Sequence, residues 1–118
     1  MNGADDLHEI RDRLRAFAAE RDWERFHTPK NLAMALAGET GEVLEHFQWL
    51  TAEASRALAE EQREEVALEL ADVLCYLVRL ADVLNIDLAD ATWRKLAINA
   101  ERYPADKARG RADKYNKL

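Results

Sequence analysis

Four acidic residues carry the chemistry this sequence offers, in two pairs of equal spacing: Glu39 with Glu42, and Glu69 with Asp72. On a helix that turns about 100° per residue, a separation of three keeps each pair on one edge and within one turn. With Glu39 set at zero, Leu32, Leu36, Val43 and Phe47 fall at roughly 20° to 80°; with Glu69 at zero, Val66, Val73, Leu77, Leu80 and Leu84 fall in the same sector. Both pairs therefore border an apolar stripe, with the same handedness. Two helices packed antiparallel by those stripes bring four carboxylates to one partly buried point, where mutual repulsion and lost hydration make an all-ionised cluster costly. Something positive has to sit there. Oxygen-only ligands suit a hard cation, and magnesium takes a few carboxylates, keeps waters and shares phosphate oxygens with a substrate. Either pair alone would ordinarily be solvated helix charge; two pairs on apolar edges argue for a site.

The elements that must position these residues are helices. Asp5 or Asp6 is expected to cap a first helix carrying Leu7, Ile10, Leu14 and Phe17, running to about Arg21. Thr28-Pro29 opens a second, an N-cap hydroxyl followed by proline at the first helical position, which runs to roughly Phe47. Between Trp49 and Ala59 the pattern breaks into a loop or short helical turn, with Thr51 and Ser55 available as caps. A long helix follows from about Glu61 to Leu84 with Leu70 in its stripe, and Asn85 is its left-handed terminator. Asp87 caps a further helix holding Leu88, Ala91, Trp93, Leu96 and Ala100, which stops near Tyr103-Pro104 because the residue before proline disfavours helical geometry. Ala105 to Leu118 reads as a polar tail. The fold expected is all-α: an antiparallel bundle of about four helices in one domain spanning residues 1–118.

Composition agrees. Of 118 residues 48% are hydrophobic and 34% charged, with four glycines and two prolines, a balance that favours helix. Seventeen basic against 23 acidic residues leave a net charge of −6, so no counterion release draws the chain to a nucleic acid polymer. Cys75 lies alone in an apolar run and reads as a small buried hydrophobe. Residues Met1 to Asp6 lack a basic, apolar signal and no stretch reaches the 18 or so apolar residues of a membrane span, so a cytoplasmic protein without membrane contact is expected.

Glu39-Thr40-Gly41-Glu42 and Glu69-Leu70-Ala71-Asp72 resemble the paired signature of the all-alpha nucleotide pyrophosphohydrolases, the MazG-like family. Arg21 to Leu32, Gly38 to Glu42, Phe47-Gln48-Trp49, Glu69 to Tyr76, Lys95 to Pro104 and Lys114-Tyr115 carry the similarity over essentially the whole chain, and toward its dCTP pyrophosphatase branch. The Thr51 to Gln62 connection departs from that branch, being shorter and poorer in glycine and proline. The resemblance implies magnesium held by Glu39, Glu42, Glu69 and Asp72, these four as catalytic residues, and a homo-oligomer, a tetramer of bundles. It also implies hydrolysis of a nucleoside triphosphate, dCTP or a cytosine-modified dCTP, between its alpha and beta phosphates. Trp23, His27, Trp49 and Tyr76 would then surround the base, with Lys95, Asn99, Arg102 and Tyr103 as further substrate-binding residues.

The residues themselves leave alternatives open. Trp23, Trp49 and Tyr76 also suit ordinary packing, although a nucleobase needs flat apolar faces with polar handles. Tyr76 falls at about 340° on the Glu69 wheel, on the carboxylate edge. Lys95, Asn99 and Arg102 make one polar stripe, which a solvated face would also show; Lys95 and Arg102 are nonetheless the candidates for offsetting the roughly four negative charges of a triphosphate. Two rival functions stand beside this one: a broad-specificity house-cleaning pyrophosphatase and a non-catalytic helical adaptor. The apolar faces of the first and last helices, with Leu14, Phe17, Trp93 and Leu96, also need a cover, and a second copy would supply it.

Overall fold

A computed structural model describes residues 3–118, with side chains from Asp6 onward. Met1 and Asn2, part of the N-terminal reading above, lie outside the described residues. The chain is all-helical, with six α-helices and no strand among the described residues: α1 (Gly3–Glu20), α2 (Pro29–Glu45), α3 (Ala52–Ser55), α4 (Glu60–Val83), α5 (Leu88–Arg102) and α6 (Ala105–Ala108). Two 3-10 turns, Glu24–Phe26 and Tyr115–Lys117, complete it.

Local chemistry explains most of these boundaries. Thr28 caps α2, its hydroxyl accepting from Asn31 N at 3.2 Å, with Pro29 behind it. Thr51 caps α3 and Asp87 caps α5 in the same way, accepting from Ala54 N at 3.1 Å and from Asp90 N at 3.0 Å. Asn85 takes the left-handed conformation, φ 56°, so that Ile86 N donates to Ala81 O and Asn85 N to Asp82 O, closing α4. Asp22, φ 54°, ends α1 by the same pair of bonds, Trp23 N to Ala18 O and Asp22 N to Ala19 O. That motif delivers Trp23 into the turn that carries His27.

Four expectations change. Helix α1 begins at Gly3, which places Asp5 and Asp6 inside its first turn rather than at its cap. Helix α2 stops at Glu45, and His46 to Trp49 form turns. The helices number six rather than about four, because the connection after Trp49 and the C-terminal tail each form a short one. The stripe of α4 is also broader than one face: Leu70 and Leu84 are exposed, whereas Val78 and Ala81 are buried with Ala18, Leu32 and Val66.

Contacts divide the chain into two compact units, through Ile86 and from Asp87. In the first, α4 packs against both α2 and α1, and so needs two apolar faces. Helix α2 runs antiparallel to α4: His27, just before α2, bonds Arg79, whereas His46, just after it, lies near Glu69. The second unit holds α5 and α6, and there Tyr115 meets Tyr103 edge-on at 6.2 Å and lies under the Arg102 guanidinium at 4.7 Å. No described helix is long and apolar enough to cross a membrane.

Candidate active site

The antiparallel packing of α2 on α4 brings the two acidic pairs together. Glu39, Glu42, Glu69 and Asp72 each offer a carboxylate oxygen, and these oxygens all lie within 4.8 Å of one another. Glu39 and Glu69 are half-buried, Glu42 and Asp72 exposed, so the cluster opens to solvent on one side. Two of its oxygens, Glu39 Oε2 and Glu69 Oε2, are buried without a hydrogen-bond partner. Among the described residues no lysine or arginine makes an ion pair with any of the four.

Such crowding disfavours full ionisation. The hydrogen-bonding approach of Glu42, then burial and repulsion by Glu42, Asp72 and Glu69, push the Glu39 carboxyl up to about 6. Glu42, burial and Asp72 likewise raise Glu69, and His46 offsets part of the effect. Unpartnered buried oxygens, no lysine or arginine ion pair and a donor set of hard oxygens fit a divalent cation of the magnesium type.

Beside the cluster, Asp72 also lines a cleft of about 290 Å³ between α1 and α4, together with Leu14, Phe17, Trp23, His27, Cys75, Tyr76 and Arg79. Trp23 meets Phe17 edge-on at 5.7 Å and His27 at 6.5 Å, giving aromatic walls with polar atoms between them. Asn31 Nδ2 ties the turn beneath His27 by donating to Phe26 O at 3.0 Å. A wider groove of about 610 Å³ runs along α1 past Asp6, Glu9, Ile10 and Arg13, but it has no aromatic wall.

The structure therefore joins Trp23, His27 and Tyr76 to Asp72 in one cleft. It leaves Trp49 out of that cleft: the residue is 87% exposed in the turn after α2. Lys95, Asn99, Arg102 and Tyr103 stand on the second unit, Asn99 half-buried and the other three exposed. Sequence reading missed Phe17 and Arg79 as lining residues. Arg79 had a signal, seven residues beyond Asp72 and on the same edge of the α4 wheel at about 280°. Cys75 is half-buried, as a small apolar filler would be, and burial with Asp72 pushes its thiol up.

Residues 35–118 match the MazG-like family model. The chain is 49% identical to dCTP pyrophosphatase 1 of Homo sapiens over 114 residues, covering 95% of this chain and 67% of that one. It is 48% identical to dCTP pyrophosphatase 1 of Bos taurus over the same length, covering 68% of it. A solved pyrophosphatase from Archaeoglobus fulgidus superposes with a TM-score of 0.79 at 41% identity, covering 84% of this chain and 93% of that one. These likenesses set aside the helical adaptor: the chain belongs to the MazG-like family and is a nucleotide pyrophosphohydrolase.

Proposed function

We propose that the chain hydrolyses dCTP, or a cytosine-modified dCTP, to the monophosphate and pyrophosphate, using Mg2+ held by Glu39, Glu42, Glu69 and Asp72. The observation that carries this reading is the pair of buried, unpartnered oxygens, Glu39 Oε2 and Glu69 Oε2, on two helices whose four carboxylates converge. Bound there, Mg2+ supplies polarisation of phosphate oxygens and a more acidic water. An oxygen from water bonds to phosphorus as the alpha–beta anhydride bond breaks, and a carboxylate with an unengaged oxygen takes the proton that is released. Trp23 and Tyr76 offer flat faces to the base and His27 a polar handle. Lys95, Asn99, Arg102, Tyr103 and Trp49 join the proposed binding set on side-chain chemistry and resemblance.

Preference for dCTP is supported by the relatives whose names carry it. A homo-oligomer, as a tetramer, is supported by large apolar side chains left in water: Phe17, Trp93 and Leu96 are 46%, 69% and 52% exposed. Control of the cytoplasmic nucleotide pool is the role that follows. The test measures pyrophosphate release from each of the four deoxynucleoside triphosphates, with Mg2+ and with chelator. The highest specificity constant should belong to dCTP, and chelation should abolish turnover. Equal turnover of all four would shift the reading to a broad house-cleaning enzyme, and turnover indifferent to chelation would remove the metal from it.

A further inference from the structure

Three elements meet around the His27 ring: the segment that carries it into α2, helix α4 and helix α1. Arg79 on α4 donates from Nε to His27 Nδ1 at 3.0 Å, and its Nη1 reaches Asp82 Oδ2 at 3.4 Å. Asp82 in turn accepts two N–H groups from Arg15 on α1, at 2.7 and 2.5 Å. The Arg79 and Asp82 side chains are only 11% and 9% exposed, so the fork is held on both sides and does not swing into water.

A guanidinium carries five donors and no acceptor, and it does not release its proton in a protein. Whatever nitrogen it donates to must be unprotonated. Nδ1 of His27 is therefore bare, and the neutral ring keeps its one hydrogen on Nε2. Two charged groups bear on the ring, Arg79 from α4 and Glu24 from the preceding turn; burial, then Arg79, outweighs Glu24 and holds His27 below its ordinary pKa. The ring stays neutral at physiological pH.

The geometry points to Arg79 as a positioning residue that locks His27 in the Nε2–H tautomer, so that the aromatic cleft presents its ligand with a fixed hydrogen-bond donor. Such a donor suits a flat ring carrying a carbonyl oxygen or an unprotonated ring nitrogen, as the O2 and N3 edge of cytosine does, and disfavours a ring that offers only N–H at that point. This inference rests on the nucleotide reading for its ligand but not for the tautomer.

Long-range proton–nitrogen correlation on 15N-histidine-labelled protein reads the tautomer directly, with His27→Gln assigning the signal among the three histidines. His27 of the unaltered chain should show a pyridine-like Nδ1 and a pyrrole-like Nε2 at pH 8, where the ring is neutral; the reverse tautomer, or a mixture of the two, overturns the proposal. Arg79→Lys, or Arg79→Gln should the lysine variant fail to fold, should release the ring to a mixture. A spectrum unchanged in a folded variant also overturns it. In kinetics, the variant's KM for dCTP should rise about five- to tenfold with a smaller fall in kcat, while inhibition by base-free 2-deoxyribose 5-triphosphate weakens no more than about twofold. Equal weakening toward both ligands would assign Arg79 to the triphosphate and refute the positioning role. If dCTP is not a substrate at all, the proposed function fails while the spectrum still decides the tautomer.

Discussion

Magnesium binding should release protons, and the geometry fixes the pH at which this becomes visible. Glu39 is pushed up to about 6, from the 4.5 of an ordinary glutamate, by Glu42, burial and the remaining carboxylates. At pH 6 about half of it is protonated in the metal-free protein, whereas at pH 7.5 about 3% is. A carboxylate ligand has to be ionised, so loading the site at pH 6 expels at least about half a proton, with Glu69 adding to it, and almost none from Glu39 at pH 7.5. Titration calorimetry in two buffers of different ionisation enthalpy counts those protons. The same shift has a stability consequence with a definite sign. Glu39 holds its proton more tightly folded than unfolded, so its stabilising contribution is complete below about pH 4.5 and is lost as pH rises through about 6. The metal-free protein should therefore melt at progressively lower temperature across that window, and saturating Mg2+ should reverse the loss. Proton release that is flat between pH 6 and 7.5, or that is undiminished in Glu39→Gln, would refute the reasoning.

Other perturbations separate chemistry from folding. Glu39→Gln and Asp72→Asn should each abolish turnover yet melt no lower than the unaltered chain without metal, because each relieves repulsion; wild-type turnover in either would remove the carboxylate site. Leu32→Ala should cost about 2 to 5 kcal/mol in urea unfolding, since Leu32 is only 2% exposed, and a cost below about 1 kcal/mol would contradict its burial. Trp93→Asp combined with Leu96→Asp should shift sedimentation toward the monomer, and a fully active monomer of the unaltered chain at assay concentration would sink the oligomer proposal. Mixing Asp72→Asn chains with His27→Ala chains should restore no activity, because the two residues line one cleft of the same chain; recovery with proven exchange would show instead that neighbouring subunits complete one another's clefts.

Much of the fold was legible because its signals are local. Thr28-Pro29, Asp87 and Asn85 act on the backbone within a few residues, and each behaves as its side-chain chemistry dictates. Asp22 uses the same left-handed terminator as Asn85 but reads as an ordinary surface charge, and Asp5 and Asp6 resemble caps although the helix starts before them. The stripe of α4 was partly misread for a tertiary reason: a wheel finds one apolar face, whereas α4 serves two neighbours and buries Val78 and Ala81 while Leu70 stays in water. The meeting of the four carboxylates followed from spacing plus antiparallel packing. Arg79 shares the carboxylate edge of the α4 wheel, but its partners, His27 52 residues away and α1 through Asp82, are tertiary, and no periodicity records them.

All four carboxylates stand on α2 and α4, while the segment between them, His46 to Ala59, holds only turns and the single helical turn of α3. Surface segments of this kind accept insertion, deletion and substitution far more readily than packed helices do. Descendants of this gene can therefore lengthen, shorten or recompose that stretch, Trp49 included, without displacing a single acidic oxygen. The acidic cluster and this turn segment can thus change independently, so a lineage can remodel that part of its surface while the four carboxylates stay where they are.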